Sequence, residues 1–261
     1  MLILLSPAKT LDFESPSTTS LCSQPELLDQ ATPLIRILAR KSPAQIAALM
    51  SLSDKLAVLN VTRYAEWRVE HEVPEAKQAV LAFAGDVYDG LDAASLPPAV
   101  LEGYLQTHLG ILSGLYGLLR PLDLVRPYRL EMGTRLANRR GADLYDYWGK
   151  RIASAINARL DAFGGGAERL VVNLASQEYF RGVRRDALKA RVITPLFQER
   201  RNGEYKVVSF NAKRARGAMT RYAAEHGVSD PQQLKSFDRD GYAFDAAASN
   251  DDTWFFRREM P

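Results

Sequence analysis

Short continuous apolar runs recur along the chain and predict buried β-strands. The chain opens with MLILL, and the polar turn Ser6–Thr10 follows at once. Further runs that predict strands lie at 78–83, 170–174 and 191–197. After the last of these, Asn202-Gly203 predicts a hairpin turn, and the chain is expected to return through an antiparallel strand at 205–210.

Apolar residues spaced three and four positions apart predict helices between these strands. The region 25–70 has the pattern of several short helices, with Ser42 at the start of one and Ser51 or Ser53 at the start of the next. Longer helices are predicted at 99–112, 144–163 and 213–226, and a flexible loop at 164–166. Because strands and helices alternate without a regular βαβ order, we expect an α+β (mixed α/β) fold. In this fold, a central mixed sheet with helices packed on it forms a single domain over residues 1–261.

The composition is that of a globular protein, and it argues against a membrane protein, a disulfide-rich protein and a metalloprotein. Apolar residues make up 46% of the chain and charged residues 25%, and no apolar run approaches the roughly 18 residues that a membrane helix needs. Cys22 is the only cysteine and the three histidines are far apart in the sequence. A disulfide framework, a metal site and a cofactor are therefore not predicted, and we expect a cytoplasmic protein without a membrane partner.

The net charge of +3 is distributed unevenly along the chain. Residues 181–221 carry 12 Lys and Arg against 3 Asp and Glu, a local charge of +9. Such a segment attracts phosphate backbones or small anions, although a solvated basic surface would show the same pattern. Within it, Lys213, Arg214 and Arg216 lie near the start of the predicted 213–226 helix, where cations oppose the helix dipole. Their position favours a compensating anion.

Several predicted strands are followed by turns rich in polar and charged side chains. Lys9 follows the first strand, and Asp86 and Tyr88 follow the strand at 78–83. The strand at 170–174 ends in a turn that contributes Asn173, Ser176 and Glu178. If these strands are neighbours, the six side chains line one cleft, in which carboxylates and a lysine could transfer protons. The alternative is a set of ordinary capped turns with an exposed lysine.

The segment 112–129 predicts a second kind of phosphate site. Gly114 and Gly117 interrupt an apolar helix, as in a helix–hairpin–helix element whose backbone N–H groups bind phosphate. Three arginines that could complete such a site are Arg120, Arg126 and Arg129. The alternative is a tight helix–helix turn in the core, with the arginines in salt bridges.

Six motifs occur in an order that resembles the YaaA family of peroxide-stress proteins. They are SPAKT, FAGDVYDGL, LSGLYGLLRPLDLVRPYRLEMG, NLASQEYF, SFNAKRARG and GYAFD, and they extend over almost the whole chain. The resemblance implies a cytoplasmic bacterial protein of the response to hydrogen peroxide, with an unusual α/β fold. It also implies a link to lower free iron, and DNA binding through a basic cleft and a helix–hairpin–helix element. We expect that element around Ser113–Pro121 and the cleft at Lys9, Arg120, Arg129, Lys213 and Arg216.

These observations lead to three hypotheses about function. The first is a protein that binds double-stranded or branched DNA and limits iron-dependent oxidative damage. The second is an enzyme for a small anionic, nucleotide-like substrate in a cleft lined by Lys9, Asp86, Asn173 and Glu178. The third is a weak iron-binding protein that uses carboxylates. No obligate protein partner is evident from the sequence.

Overall fold

A computed structural model describes residues 1–164 and 168–259 of the chain. Within this part, the strands are β1 Leu2–Leu5, β2 Thr10–Leu11, β3 Lys77–Gln78, β4 Phe83–Ala84, β5 Leu109–Ser113, β6 Gly117–Leu119, β7 Leu124–Val125, β8 Leu170–Asn173, β9 Arg191–Arg201, β10 Glu204–Lys206, β11 Ala243–Asp245 and β12 Thr253–Glu259. Most of them form one large sheet, and the short pairs β2–β4 and β3–β7 lie outside it.

Helices of varied length pack around the sheet. They are α1 Leu28–Leu38, α2 Pro43–Met50, α3 Asp54–Glu66, α4 Ala79–Ala82, α5 Asp86–Leu91, α6 Gln106–His108, α7 Leu144–Trp148, α8 Arg151–Asp161, α9 Gln177–Arg181 and α10 Ser209–Glu225. A π-helical segment, Val100–Leu105, leads into α6, and short 3₁₀ turns occupy Ala93–Ser95, Arg185–Ala187, Pro231–Ser236 and Arg239–Gly241. No helix in the described ranges is long and apolar enough to cross a membrane.

The main sheet has the order β11-β12-β9-β8-β1-β5-β6, and β10 pairs with β9. The five strands from β12 to β5 are parallel, whereas β11, β6 and β10 pair antiparallel to their neighbours. All four residues of β1 are fully buried, as expected for a central parallel strand that is covered on both faces. The predicted α+β class with a central mixed sheet and packed helices is confirmed.

The strand order reverses beside β1. The first parallel strand after it in the chain, β5, pairs on one side, and the next one, β8, pairs on the other. A reversal of this kind is where a crevice is expected, outside the carboxyl ends of β1 and β8, because the connections from these strands leave in opposite directions. In open α/β sheets, ligands bind at such switch points. The fold therefore indicates where to look for a site.

Several sequence-based boundaries agree with the structure. Ser42 accepts a hydrogen bond from the backbone N–H of Gln45 at the start of α2, and their reciprocal bonds form a capping box. Asn202 and Gly203 have φ of 53° and 83° in the hairpin turn between β9 and β10. The predicted helix 144–163 is divided into α7 and α8 at Gly149, and Gly165-Gly166 of the predicted loop lie outside the described residues.

The structure corrects the predicted strands at 78–83 and 205–210. The first is a helical turn, α4, flanked by the two-residue strands β3 and β4. A short apolar run fits a buried helical turn as well as a strand, so its pattern could not distinguish them. In the second, strand pairing ends at Lys206, and Ser209 already begins α10.

The helix–hairpin–helix prediction is wrong. The predicted helix 99–112 ends at His108, and its remaining residues enter β5, where Leu109 pairs with Ile3 of the central strand. The chain then turns into β6, so Ser113–Pro121 contains a β-hairpin in which Ser113 pairs with Gly117. Pairing with the buried β1 outweighs the helical pattern of the apolar residues. Gly117 has a φ of 71°, and Trp148 occupies the space that a Cβ would need.

Two glycines allow α5 and α10 to cross with their backbones in contact. A Cβ built on Gly90 would lie 2.0 Å from the carbonyl oxygen of Arg214. A Cβ on Gly217 would lie 1.8 Å from the carbonyl oxygen of Val87. Neither position can accept a larger residue without a shift of a helix backbone, so the crossing fixes the start of α5 relative to α10.

Candidate functional site

The turns after β1 and β8 contact each other at the switch point. The hydroxyl of Ser6 donates to the hydroxyl of Ser176 at 3.3 Å and accepts the backbone N–H of Ser176 at 2.9 Å. Asn173 is buried, and its side-chain oxygen accepts the N–H of Ala175 at 3.1 Å, which shapes the second turn. The predicted neighbourhood of the two turns is therefore present. We define the crevice by Ser6, Lys9, Tyr88, Arg129, Glu131, Ser176 and Glu178.

Lys9 and Arg129 share one carboxylate in the crevice. Lys9 Nζ lies 2.8 Å from one oxygen of Glu131, and Arg129 Nη2 lies 3.0 Å from the other. The Lys9 side chain is 63% exposed and that of Arg129 is 17% exposed. Lys9, Arg129 and Glu131 together carry a formal charge of +1, and the pairing holds both cations beside the same carboxylate. The arrangement suits an incoming anion.

Short helix α9 places Glu178 next to this ion cluster. Ser176 caps α9 by accepting the N–H of Tyr179 at 3.4 Å, and Glu178 follows in the first turn. The side chain of Glu178 accepts the N–H of Gly133 at 2.9 Å, only two residues beyond Glu131. Glu178 therefore ties α9 to the segment that carries the ion cluster.

Tyr88 reaches the crevice from α5. Its hydroxyl donates to the carbonyl oxygen of Ser6 at 3.0 Å. Burial raises the pKa of Tyr88 well above its ordinary value, and the nearby Tyr128 and Tyr179 act in the same direction. Tyr88 is therefore a neutral hydrogen-bond donor that positions the Ser6 turn. Asp86, two residues earlier, lies 3.8 Å from Lys213 of α10.

The other cations predicted on α10 differ in their partners. Arg214 lies 3.7 Å from Asp240, and its side chain is 56% exposed. Arg216 is half-buried and makes no ion pair or side-chain hydrogen bond within the described part of the chain. Burial lowers the pKa of Arg216. A guanidinium without a protein acceptor is available to a ligand oxygen.

The remaining predicted phosphate contacts lie away from the crevice. Arg120 donates to the fully buried Asp123, with Nη2 at 2.9 Å and Nε at 3.0 Å from one carboxylate oxygen. Arg126 donates to the carbonyl oxygen of Glu70 in a separate groove. Gly114 is buried, and a Cβ there would lie 2.3 Å from the carbonyl oxygen of Leu130. The hairpin glycines thus serve packing, which removes the structural basis for the phosphate role predicted for them.

Sequence reasoning missed two residues of the crevice. Ser6 directly follows the opening strand, and that position alone could have marked it. Glu131 had no comparable indication, because its importance comes from the ion pairs that the fold creates. Across the described ranges, no group of three or more His, Cys, Asp or Glu side chains is placed to hold a metal ion.

Comparison with known families agrees with the motif resemblance. A family model described as "Peroxide stress protein YaaA" matches residues 1–248. The chain belongs to the YaaA family of peroxide stress proteins. The site just described lies entirely inside the matched residues, so the crevice is part of the YaaA region of the chain.

Full-length relatives occur in several bacteria. A "UPF0246 protein" of Chromobacterium violaceum is 58% identical over 260 residues, which cover 99% of both chains. Proteins with the same description from Janthinobacterium sp. (strain Marseille) and Albidiferax ferrireducens are 57% and 60% identical and cover 100% of this chain and 99% of their own. The YaaA-like chain is therefore similar to these relatives from end to end.

Proposed function

We propose that this peroxide stress protein binds a small phosphate-bearing ligand in the crevice. The observation that supports the proposal most directly is the shared Glu131 pair of Lys9 and Arg129 beside the linked turns of Ser6 and Ser176. The cluster lies at the switch point of the sheet, where open α/β folds bind ligands. Arginine presents a fork of donors to phosphate, and lysine adds a point charge.

The surrounding groups favour a small ligand over an extended one. Glu131 and Glu178 are acidic, and they would repel an extended run of backbone phosphates more strongly than a single phosphate group. The hydroxyls of Tyr88 and Ser6 hold the turn beside these charged groups in place through hydrogen bonds within the protein. A mixed set of cations, carboxylates and hydroxyls around a buried turn is typical of ligand sites with a few well-placed polar groups.

The test is binding of a library of nucleotides and sugar phosphates, followed by titration calorimetry on each hit. Lys9→Ala is expected to weaken binding by about tenfold, because a charge-assisted contact is lost. Lys206→Ala is a matched control, since its side chain is 62% exposed and ion-paired at 2.8 Å with Glu204, close to the values for Lys9. Hits that bind both variants equally well would contradict the proposal.

Binding of DNA along α10 is the second candidate. It is supported by the exposed cations Lys213 and Arg214 and by Arg216, which lacks a partner within the described residues. The β9–β10 hairpin adds half-exposed arginines at 200 and 201. These groups could contact several phosphates of double-stranded or branched DNA without reading its sequence.

Salt dependence tests the second candidate. The affinity for a DNA duplex should fall with salt, with a log–log slope of about −0.9 for each neutralised phosphate. The double variant Lys213→Ala with Arg216→Ala should reduce both the affinity and the slope. Arg36→Ala, at an exposed arginine of α1, is the control. An unchanged slope in the double variant would place any DNA contact elsewhere.

We propose that protection against iron-dependent damage depends on the bound ligand or DNA. It does not require that the chain itself binds iron. The supporting observation is that the acidic side chains of the site are already engaged by the protein: Glu131 by two cations, Glu178 by a backbone N–H and Asp86 by Lys213. Anaerobic loading with Fe(II), then desalting, tests this assignment. One retained iron per chain, lost in Glu131→Gln, would contradict it.

A further inference from the structure

A second anion site is suggested by a groove lined by the last turn of α3 and by residues 74–75 and 126–127. The groove has a volume of about 480 Å³, and Arg63, Arg68 and Arg126 line it. Arg126 was predicted as a phosphate contact, but it lies here and not in the crevice. We call this feature the arginine groove. It is not part of the site proposed above.

Main-chain oxygens orient two of the three guanidinium groups of the arginine groove. Arg126 donates Nε and Nη2 to the carbonyl oxygen of Glu70 at 3.2 and 3.1 Å. Arg68 donates Nη1 to the carbonyl oxygens of Ala65 and Trp67, both at 2.9 Å. A carbonyl oxygen fixes a guanidinium without cancelling its charge, so the remaining N–H donors stay available.

The carboxylates of the groove do not neutralise these arginines. Glu66 and Glu75 also line it, yet within the described residues neither lies within ion-pair distance of any of its three arginines. Arg63 is half-buried with no hydrogen bond to a described residue, and burial lowers its pKa. The three arginines outnumber the two carboxylates of the lining, and none of the three is ion-paired to a described residue.

The wall of the groove is rigid. Trp67 donates its indole N–H to the hydroxyl of Tyr116 at 3.2 Å, and that hydroxyl also accepts the backbone N–H of Arg126 at 3.3 Å. Nε2 of the buried His71 accepts from the same hydroxyl at 2.9 Å. The network fixes Trp67 and the backbone of Arg126, so the groove is formed before any ligand arrives.

We propose that the arginine groove binds a small organic phosphate. A phosphate monoester offers three acceptor oxygens and close to two negative charges, which matches three guanidinium forks better than a single carboxylate does. The apolar body of such a ligand would lie on the uncharged part of the lining, which consists of Phe13, Trp67, Pro74 and Pro127. A nucleoside monophosphate has both parts, and it serves as the probe.

Titration with adenosine monophosphate tests this inference, and the fluorescence of the tryptophans measures binding. We expect saturable binding that is about tenfold weaker in Arg63→Ala, because a charge-assisted contact is lost. Arg126→Lys, which keeps the charge and removes the fork, should weaken binding as well. Arg36→Ala is the matched control, and thermal unfolding verifies that each variant is folded. A Trp67→Phe variant should lose most of the fluorescence change.

The outcomes separate the groove from the crevice and from other ligands. Loss of binding in Lys9→Ala with retention in Arg63→Ala would assign the nucleotide to the crevice and overturn the inference. No saturable binding to the wild-type chain would overturn it as well. Inorganic phosphate should bind more weakly than the nucleotide, because it lacks the apolar body. Binding of single-stranded DNA but not of the nucleotide would identify a nucleic-acid contact surface instead.

Discussion

The crevice and the arginine groove both gather cations, but the partners of those cations differ. In the crevice, Lys9 and Arg129 contact the carboxylate of Glu131. In the groove, Arg68 and Arg126 contact main-chain carbonyl oxygens. A carboxylate holds a cation in place and also competes with an incoming anion, whereas a carbonyl oxygen only orients it. The affinity of a surface for phosphate therefore depends on the partners of its cations as well as on their number.

The largest expected effect concerns Arg120, whose charge is satisfied inside the protein. Asp123→Ala should lower the free energy of unfolding by about 3 kcal/mol, because the Ser23 hydroxyl and the backbone N–H of Arg120 lose their acceptor and the Arg120 guanidinium loses its closest carboxylate. Urea denaturation measures this loss. Glu26→Ala removes the other, more exposed carboxylate of Arg120 at 3.6 Å and should cost under about 0.5 kcal/mol. Equal losses in the two variants would contradict the distinction.

The second prediction concerns how stability depends on pH through His71, which belongs to the hydrogen-bond network in the wall of the arginine groove. Burial lowers the pKa of His71 to about 4, below its ordinary value of 6.5, so the unfolded chain binds a proton that the folded chain does not. The contribution of His71 to stability is therefore complete above pH 6.5 and is lost as the pH falls toward 4. The loss between pH 7 and pH 5 should be about 2 kcal/mol.

Urea denaturation at several pH values measures how the free energy of unfolding changes with pH. His71→Gln cannot titrate in this range, so its stability should change less between pH 7 and pH 5 than that of the wild type. His108, whose pKa is also lowered by burial, remains in both proteins and cancels in the difference. Parallel pH profiles for the two proteins would show that His71 is not the group responsible.

The third prediction addresses competition by a carboxylate. Glu131→Gln removes the negative charge shared by Lys9 and Arg129, and inorganic phosphate should then bind to the crevice about fivefold more tightly at low salt. In the groove, Glu75→Gln should have a smaller effect, because Glu75 does not pair with the arginines there. Titration calorimetry of both variants provides the comparison. A larger gain for Glu75→Gln would reverse our interpretation of the two regions.

The smallest expected effect is on the exposed pair of Asp86 and Lys213. Their closest atoms are 3.8 Å apart, and the side chains are 44% and 53% exposed. Asp86→Asn should change the free energy of unfolding by no more than about 0.5 kcal/mol, because solvent screens such a pair. Thermal and urea unfolding measure this change. A loss above about 1 kcal/mol would mean that the pair, and not only the helix crossing, holds α5 against α10.

The sequence predicts the central sheet better than its edge. The strands at 170–174 and 191–197, the Ser42 cap and the Asn202-Gly203 turn follow from local patterns, and the structure has all of them. The β5–β6 hairpin could not be found in this way, because Leu109–Ser113 continues a helical pattern. It becomes a strand only when β1 is beside it. Pairing with β1 determines that this segment is a strand.

Prediction of the site was limited in a different way. The rule that polar turns follow parallel strands placed Lys9, Asn173, Ser176 and Glu178 at one edge of the sheet, as the structure has them. The rule says nothing about ion-pair partners, which lie far apart in the sequence. The rule therefore does not distinguish Arg120 from Arg129, although a buried carboxylate binds Arg120 and Arg129 lies in the crevice.

The position of the Lys213 charge depends on two uncharged residues, Gly90 and Gly217, at the crossing of α5 and α10. One added methyl group at Gly90 or Gly217 would overlap a carbonyl oxygen of the opposite helix, and one helix would have to slide or tilt away. Lys213 would then recede from Asp86, and Tyr88 would lose its reach to the Ser6 carbonyl. The distance between Lys213 and the end of β1 thus depends on the absence of a side chain at two positions, Gly90 and Gly217.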